Sequence, residues 1–329
     1  MDTAAFRADL ELIPTTLEQL ADALDSGLSG LERLPMLAAS RVLVLGMGSS
    51  RYAADVVARR YRSVGANVVV ELASAELLPP AAPDLAVVAV SATGGSVEVL
   101  RAVERYRGTG RLVAVTNRPD SELGRAADIV VPLLAGVEAS GVACRTFRAT
   151  FAVLDAVLEE LLGTAPPERF GAAAVRAAAS ANSRLLDTVD EWMPQLADLL
   201  ATPTGTWALA PAERASSAQQ SALMIREVPR RGAFASETGD WSHVDVYLTK
   251  TQDYRALVFA GSAWDAQALD WMAQRGSRFA AVGRDLPGAE QVIRFDGDED
   301  DSIAALSELL VAELVADHWL RAFGEGAPA

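Results

Sequence analysis

The chain has 329 residues, 29 basic and 44 acidic, for a net charge of −15. Half of the residues are hydrophobic, which excludes a disordered chain and allows one large or two medium domains. The negative field argues against nucleic acid or an anionic membrane as partner. One cysteine (Cys144) and two histidines (His243, His318) exclude a disulfide framework and a thiolate or His-rich metal site, so no metal is expected.

The N-terminus carries acids where a secretory leader would have a basic start, and no apolar stretch is long enough to span a bilayer. We therefore expect a cytoplasmic protein. Residues 5–34 read as helical, with Phe6, Leu10, Ile13, Leu17, Leu20 and Leu24 at three- and four-residue steps. Short apolar runs then follow at Val42–Leu45, Val68–Val70, Ala86–Val90, Leu112–Val115 and Ile129–Pro132, separated by helical stretches. Continuous rather than alternating apolar runs fit parallel strands covered on both faces. Residues 147–163 and 171–201 read as helices. After the Thr-Pro-Thr-Gly break at Thr202–Gly205 a second series begins, with strands at Trp207–Ala210, Ala256–Ala260, Phe279–Val282 and Val292–Phe295. Helices are expected at Ser216–Arg226 and 302–323. The order of elements repeats that of the first half. The expected organisation is a helical segment over 1–34, a first α/β domain over 35–201 and a second over 202–329, with ligand at strand C-termini.

Two loops carry candidate chemistry. Gly46-Met47-Gly48-Ser49-Ser50-Arg51 leaves the first strand and opens a helix, where free N–H groups and hydroxyls make an anion cradle. A dinucleotide site competes, with Glu71 at the end of the next strand, but Arg51 stands where the third glycine of that fingerprint belongs. Ser91-Ala92-Thr93-Gly94-Gly95-Ser96 leaves the third strand in the same way. Two such loops on one sheet can converge on one phosphate without lysine or arginine. Ser121 is read as a helix N-cap.

These stretches, with Thr116–Asp128 and Gly136–Phe147, resemble the sugar isomerase (SIS) family, in particular the isomerase half of glucosamine-6-phosphate synthase and the related fructosamine deglycases and amino-sugar deaminases. The resemblance implies an α/β fold of two tandem doubly wound, flavodoxin-like SIS subdomains. It implies a phosphosugar site at Gly48, Ser49, Ser50, Ser91, Thr93 and Ser96, with Ala143 at the sugar end. The family's S-x-S-G-E-T is here S-A-T-G-G-S, so Gly95 replaces an acid, and its Ala-Thr-Lys run is Ala143-Cys144-Arg145.

Gln219–Asp245 resembles the segment that carries the family's catalytic glutamate and histidine, here Glu227 and His243. Pro229 ends the helix just beyond Glu227, and a carboxylate in a last helical turn faces the negative end of the dipole, which favours a base able to take and return a proton. The segment after Gly232 reads as a long loop whose Phe234 and Trp241 suit burial against a partner. Arg226, Arg230 and Arg231 read as a solvated helix end, and His318 as a packed helix histidine. Lys250 is the only lysine. It follows an expected strand, VDVYLTK, and matches no catalytic position. Met224 stands where the synthase has a lysine, and the RAFGEGAPA tail has none, which argues against imine chemistry.

The expected function is aldose–ketose isomerisation of a phosphorylated sugar or amino sugar, by a homodimer with a shared active site and no cofactor. No glutaminase activity is expected. Deglycase or deaminase chemistry on the same residues is the near alternative. A non-catalytic phosphosugar sensor and a dehydrogenase are the distant ones.

Overall fold

The structure, a computed structural model, describes residues 2–324; the last five residues of the RAFGEGAPA tail lie outside them. In chain order it contains α1 (Thr3–Glu11), α2 (Ile13–Ser26), β1 (Arg41–Gly46), α3 (Gly48–Ser63), β2 (Asn67–Leu72), β3 (Leu85–Val90), α4 (Val97–Val103) and β4 (Leu112–Thr116). Then come α5 (Glu122–Ala126), β5 (Ile129–Pro132), α6 (Arg145–Leu162), α7 (Ala172–Asp187), α8 (Val189–Leu200), β6 (Thr206–Ala210), α9 (Ala215–Glu227) and β7 (Ala233–Glu237). The series closes with α10 (Thr238–Trp241), β8 (Arg255–Phe259), α11 (Asp265–Gln274), β9 (Arg278–Val282), β10 (Gln291–Ile293), α12 (Asp301–Ser307) and α13 (Leu310–Phe323).

The chain divides into two compact units. One is Thr15–Glu138 with Ala143–Arg176; the other is the rest of the described chain, α1 included. Each unit holds one five-stranded, all-parallel sheet. The first runs β2-β1-β3-β4-β5, and the second, taken from its other edge, β7-β6-β8-β9-β10. Both are the doubly wound α/β order in which the chain reverses direction between the first strand and the third.

In the first unit β3 and β4 are buried along their whole length and β1 is buried but for Arg41, because helices cover both faces. Leu43, Leu45, Val87, Ala89 and Ala114 pack with Val99, Val103 and Tyr106 on one of those faces. In the second unit Trp207 stacks on Tyr254 at 4.3 Å and on Phe234 at 5.0 Å, and Trp241 donates its indole N–H to the Tyr254 hydroxyl at 2.6 Å.

Several local expectations change. The helical pattern over 5–34 breaks at Leu12 and again at Gly27, where φ is 91°. Pro14 sits in the first turn of α2, where a missing N–H costs nothing. The stretch 171–201 is two helices divided at Thr188, and 302–323 is two divided near Glu308. The loop expected after Gly232 contains the edge strand β7 and the turn α10, and Trp241 is fully buried in its own unit rather than kept for a partner. VDVYLTK is not a strand: Asp245–Lys250 is a 3-10 turn that buries Val246 and Thr249 and exposes Lys250. Arg231 is not solvated, since its guanidinium lies 4.8 Å from the Trp319 ring and 5.0 Å from that of Phe323, and burial lowers its pKa.

Candidate active site

The two hydroxyl-bearing loops leave the carboxyl ends of neighbouring strands. β1 and β3 pair in register, Leu45 opposite Ala89, so Gly48–Ser50 and Ser91–Ser96 flank the crevice at which the sheet reverses its winding. Such crevices are where open α/β sheets bind ligands. Gly48, Ser49 and Ser50 form the first turn of α3 and are half-buried. A Cβ on Gly46 would meet the Arg51 nitrogen at 3.1 Å, so any larger residue there would crowd the turn. Arg51 is engaged with Asp55 at 3.2 Å along the helix.

The second loop is ordered by its own hydroxyls. Ser91 is buried, accepts the Gly94 N–H at 3.2 Å and lies 3.1 Å from the Ser96 hydroxyl. Thr93 is exposed and accepts the Gly95 N–H at 3.3 Å. Gly94 has φ 62°, and a Cβ there would fall 1.9 Å from the Ser121 oxygen. Ser121 caps α5 by accepting the Gly124 N–H at 3.2 Å, as its position implies.

Ala143 is half-buried just before α6. There the Glu138 carboxylate accepts the backbone N–H groups of Cys144 at 2.7 Å, Arg145 at 2.6 Å and Thr146 at 3.0 Å. An anion at that helix end satisfies donors the helix leaves open and complements its dipole. Arg145 does not reach for a ligand. It is buried and donates to the carbonyls of Ala135, at 2.6 Å, and Val137, clamping the loop after β5. That loop holds Leu134 at φ 54°, a strained position for a branched side chain.

Glu227 is the last residue of α9 and is exposed. The Arg226 side chain beside it donates to the Ala233 carbonyl at 3.0 Å, which fixes this helix end at the start of β7. His243 follows the other end of β7: Glu237 caps α10 through Asp240, and the His243 N–H returns to the Asp240 carbonyl at 2.8 Å. It is exposed too. The five residues of β7 span about 13 Å, so one chain carries these two groups at opposite ends of one strand rather than side by side. Beside β7 a groove of about 530 Å³ is lined by Gln219, Arg226, Phe234, Ser236 and Asp245. Met224 is fully buried and is a core residue. His318 is half-buried on α13.

The equivalent crevice of the second sheet, between β6 and β8, is filled. Arg214 follows β6, is fully buried, and pairs with the buried Glu308 and with Asp301 at 3.0 Å. It also donates to the Ala260 carbonyl at the end of β8 at 2.5 Å. Burial pushes the Glu308 carboxyl up to about 7, while the guanidinium beside it acts in the opposite sense.

Sequence inspection gave the Asn117–Ser121 turn a structural role and passed over Arg118. The structure puts that exposed arginine on a cleft shared with Thr93, Gly94 and Gly95. The available signal was an arginine directly after the fourth strand, on the ligand edge of the sheet.

Residues 36–160 match the SIS domain family. The α/β class and the two doubly wound sheets agree with what that resemblance implies. Over 238 residues the chain is 25% identical to a glutamine–fructose-6-phosphate aminotransferase (isomerizing) of Sulfolobus acidocaldarius, covering 71% of this chain and 39% of that protein. The chain spans less than half the length of the curated relatives it matches. Among solved structures it resembles the C-terminal domain of glucosamine-fructose-6-phosphate aminotransferase from Francisella tularensis, with TM-score 0.79, 16% identity and 96% of each chain covered. It also resembles tagatose-6-phosphate ketose/aldose isomerase from Escherichia coli, with TM-score 0.77, 17% identity, and 98% of this chain and 95% of that one covered. At such identities these two likenesses concern the fold. No described helix is long and apolar enough to cross a membrane.

Proposed function

We propose that this protein isomerises a phosphorylated sugar or amino sugar between aldose and ketose, working as a cytoplasmic homodimer. The observation that carries this is the pair of hydroxyl-bearing loops at the carboxyl ends of β1 and β3, on either side of the reversal point of the first sheet. Ser50, Ser91, Thr93 and Ser96 hold the phosphate with the N–H groups that open α3, and Gly48 and Ser49 shape the turn beside them. α4 has only seven residues, so on that side the hydroxyls rather than a helix dipole do the binding. Ala143 borders the sugar.

His243 opens the ring by moving a proton from the anomeric hydroxyl to the ring oxygen. Glu227 removes the C2 proton of the open aldose and returns it to C1 through an enediol, while the proton of the C2 hydroxyl passes to the C1 oxygen. The separation of these residues along β7 supports a site completed by two subunits, with His243 supplied by the partner of the chain that supplies Glu227.

The test is a panel of sugar phosphates and amino-sugar phosphates, with product analysis, followed by subunit mixing. Glu227→Gln and His243→Ala proteins should each be inactive, and mixed dimers should regain part of the activity. Release of an amine in place of isomerisation would move the reaction to deglycase or deaminase chemistry. Binding of several phosphosugars without turnover of any would leave a sensor. Failure to recover activity despite proven subunit exchange would refute the shared site.

A further inference from the structure

Thr93, Gly94 and Gly95 form one side of a cleft of about 520 Å³, and the Arg118–Glu122 turn forms the other. Its two glycines differ. Gly94 is demanded by its backbone and by Ser121, as described above. Gly95 is not: its φ lies outside the left-handed region, and a Cβ would meet only the Thr93 hydroxyl, at 4.0 Å. Any side chain could stand there. What glycine supplies at that position is room and the absence of charge.

Across this space stands Arg118. It is exposed, and its guanidinium makes no ion pair or hydrogen bond among the described residues. The turn that carries it is fixed on both flanks. Asn117 receives the Ala135 N–H at 2.9 Å and donates to the Gly136 carbonyl at 2.5 Å, and its own N–H reaches the Ala92 carbonyl at 3.1 Å. Arg125 holds the Asp120 carbonyl from the other flank. A cation on a rigid turn thus faces an empty place beside the loop assigned to the phosphate. That phosphate is already served by hydroxyls and N–H groups, which leaves the arginine for a different group.

Asp120 and Glu122 line the same cleft and decide which group. These two carboxylates repel a second, doubly charged phosphate more strongly than a singly charged group. A single carboxylate matches the planar fork of arginine and can be held by two parallel hydrogen bonds. We propose that Arg118 and the space over Gly95 form a specificity pocket for a carboxylate carried by the sugar phosphate. This rests on the phosphosugar function proposed above and narrows its substrate class.

Calorimetric titration of the whole chain with fructose 6-phosphate, 6-phosphogluconate and fructose 1,6-bisphosphate tests it. 6-Phosphogluconate should bind about tenfold more tightly than fructose 6-phosphate, the usual scale of a charge-assisted contact, and the bisphosphate should gain nothing. Arg118→Met should abolish the preference and leave fructose 6-phosphate unchanged. Gly95→Glu should do the same by filling and charging the pocket, with thermal melting showing that both variants are folded. Equal loss for all three ligands in Arg118→Met would make the arginine an ordinary phosphate contact and overturn the proposal. So would tighter binding of the bisphosphate than of 6-phosphogluconate, or an undiminished preference in both variants. If no ligand binds the wild-type chain, the phosphosugar function falls and the pocket with it.

Discussion

Replacing Arg214 by Met tests the filled crevice of the second sheet. Glu308 has an ordinary value of 4.5 and is raised to about 7 in the folded chain. Between those values the folded protein holds a proton that the unfolded chain has released. The stability contributed by Glu308 is therefore complete below pH 4.5 and is lost as pH rises through 7, a change of about 3 kcal/mol. Without Arg214 the carboxyl loses its cation and keeps its proton at pH 8. That costs at least a further ~1.4 kcal/mol there. Loss of the charge-assisted bond to the Ala260 carbonyl adds about 2 kcal/mol. The total at pH 8 is about 3–5 kcal/mol, the range expected when one member of a buried pair is removed. At pH 5 both proteins carry a neutral Glu308, and the penalty should shrink by about 1–2 kcal/mol. Adding Glu308→Gln should recover part of the loss at pH 8 and remove its pH dependence. All six tryptophans lie between Trp192 and Trp319, so urea unfolding followed by their fluorescence reports on the second unit alone. An equal penalty at both pH values, or a double variant less stable than Arg214→Met, would refute this account.

Ser91→Ala should weaken fructose 6-phosphate binding by about 1–2 kcal/mol, measured by titration, because it removes a proposed phosphate donor and the acceptor that holds Gly94. Gly94→Ala should abolish that binding while leaving the tryptophan unfolding curve in place; Ser121→Gly in the same chain should restore part of it by removing the atoms a Cβ would strike. Glu138→Ala should cost about 2–3 kcal/mol, read as a lower melting temperature of the first unit by circular dichroism, since three backbone N–H groups at the start of α6 lose their acceptor.

The sequence revealed the buried strands most directly. β1, β3 and β4 are covered on both faces, so each is a continuous apolar run between turn residues, and these runs fall within one residue of the observed bounds. β7 escaped because an edge strand needs no such run: Ala233 is buried, Phe234 exposed and Ser236 and Glu237 half-buried. VDVYLTK misled in the opposite way. Its apolar alternation suits a strand, yet Val246 and Thr249, three residues apart, share the buried face of a 3-10 turn without any strand to pair with. The loops were legible because hydroxyls and glycines follow strands directly. The Arg214–Glu308 pair was not, since its partners are 94 residues apart and nothing local distinguishes a buried arginine from a surface one. The same holds for Arg145, whose targets are carbonyls and carry no sequence signal.

β7 also acts as a ruler. Arg226, next to Glu227, is tied to its first residue and His243 lies in the turn after its last, so strand length sets how far the histidine stands from the glutamate's helix. One inserted residue would turn every following side chain to the opposite face of the sheet. Two would preserve the faces and advance the His243 turn by about 7 Å, a change that an edge strand, bonded on one side only, can absorb. The fold tolerates that lengthening, but in the shared site proposed above it would change how far His243 reaches into the partner's site.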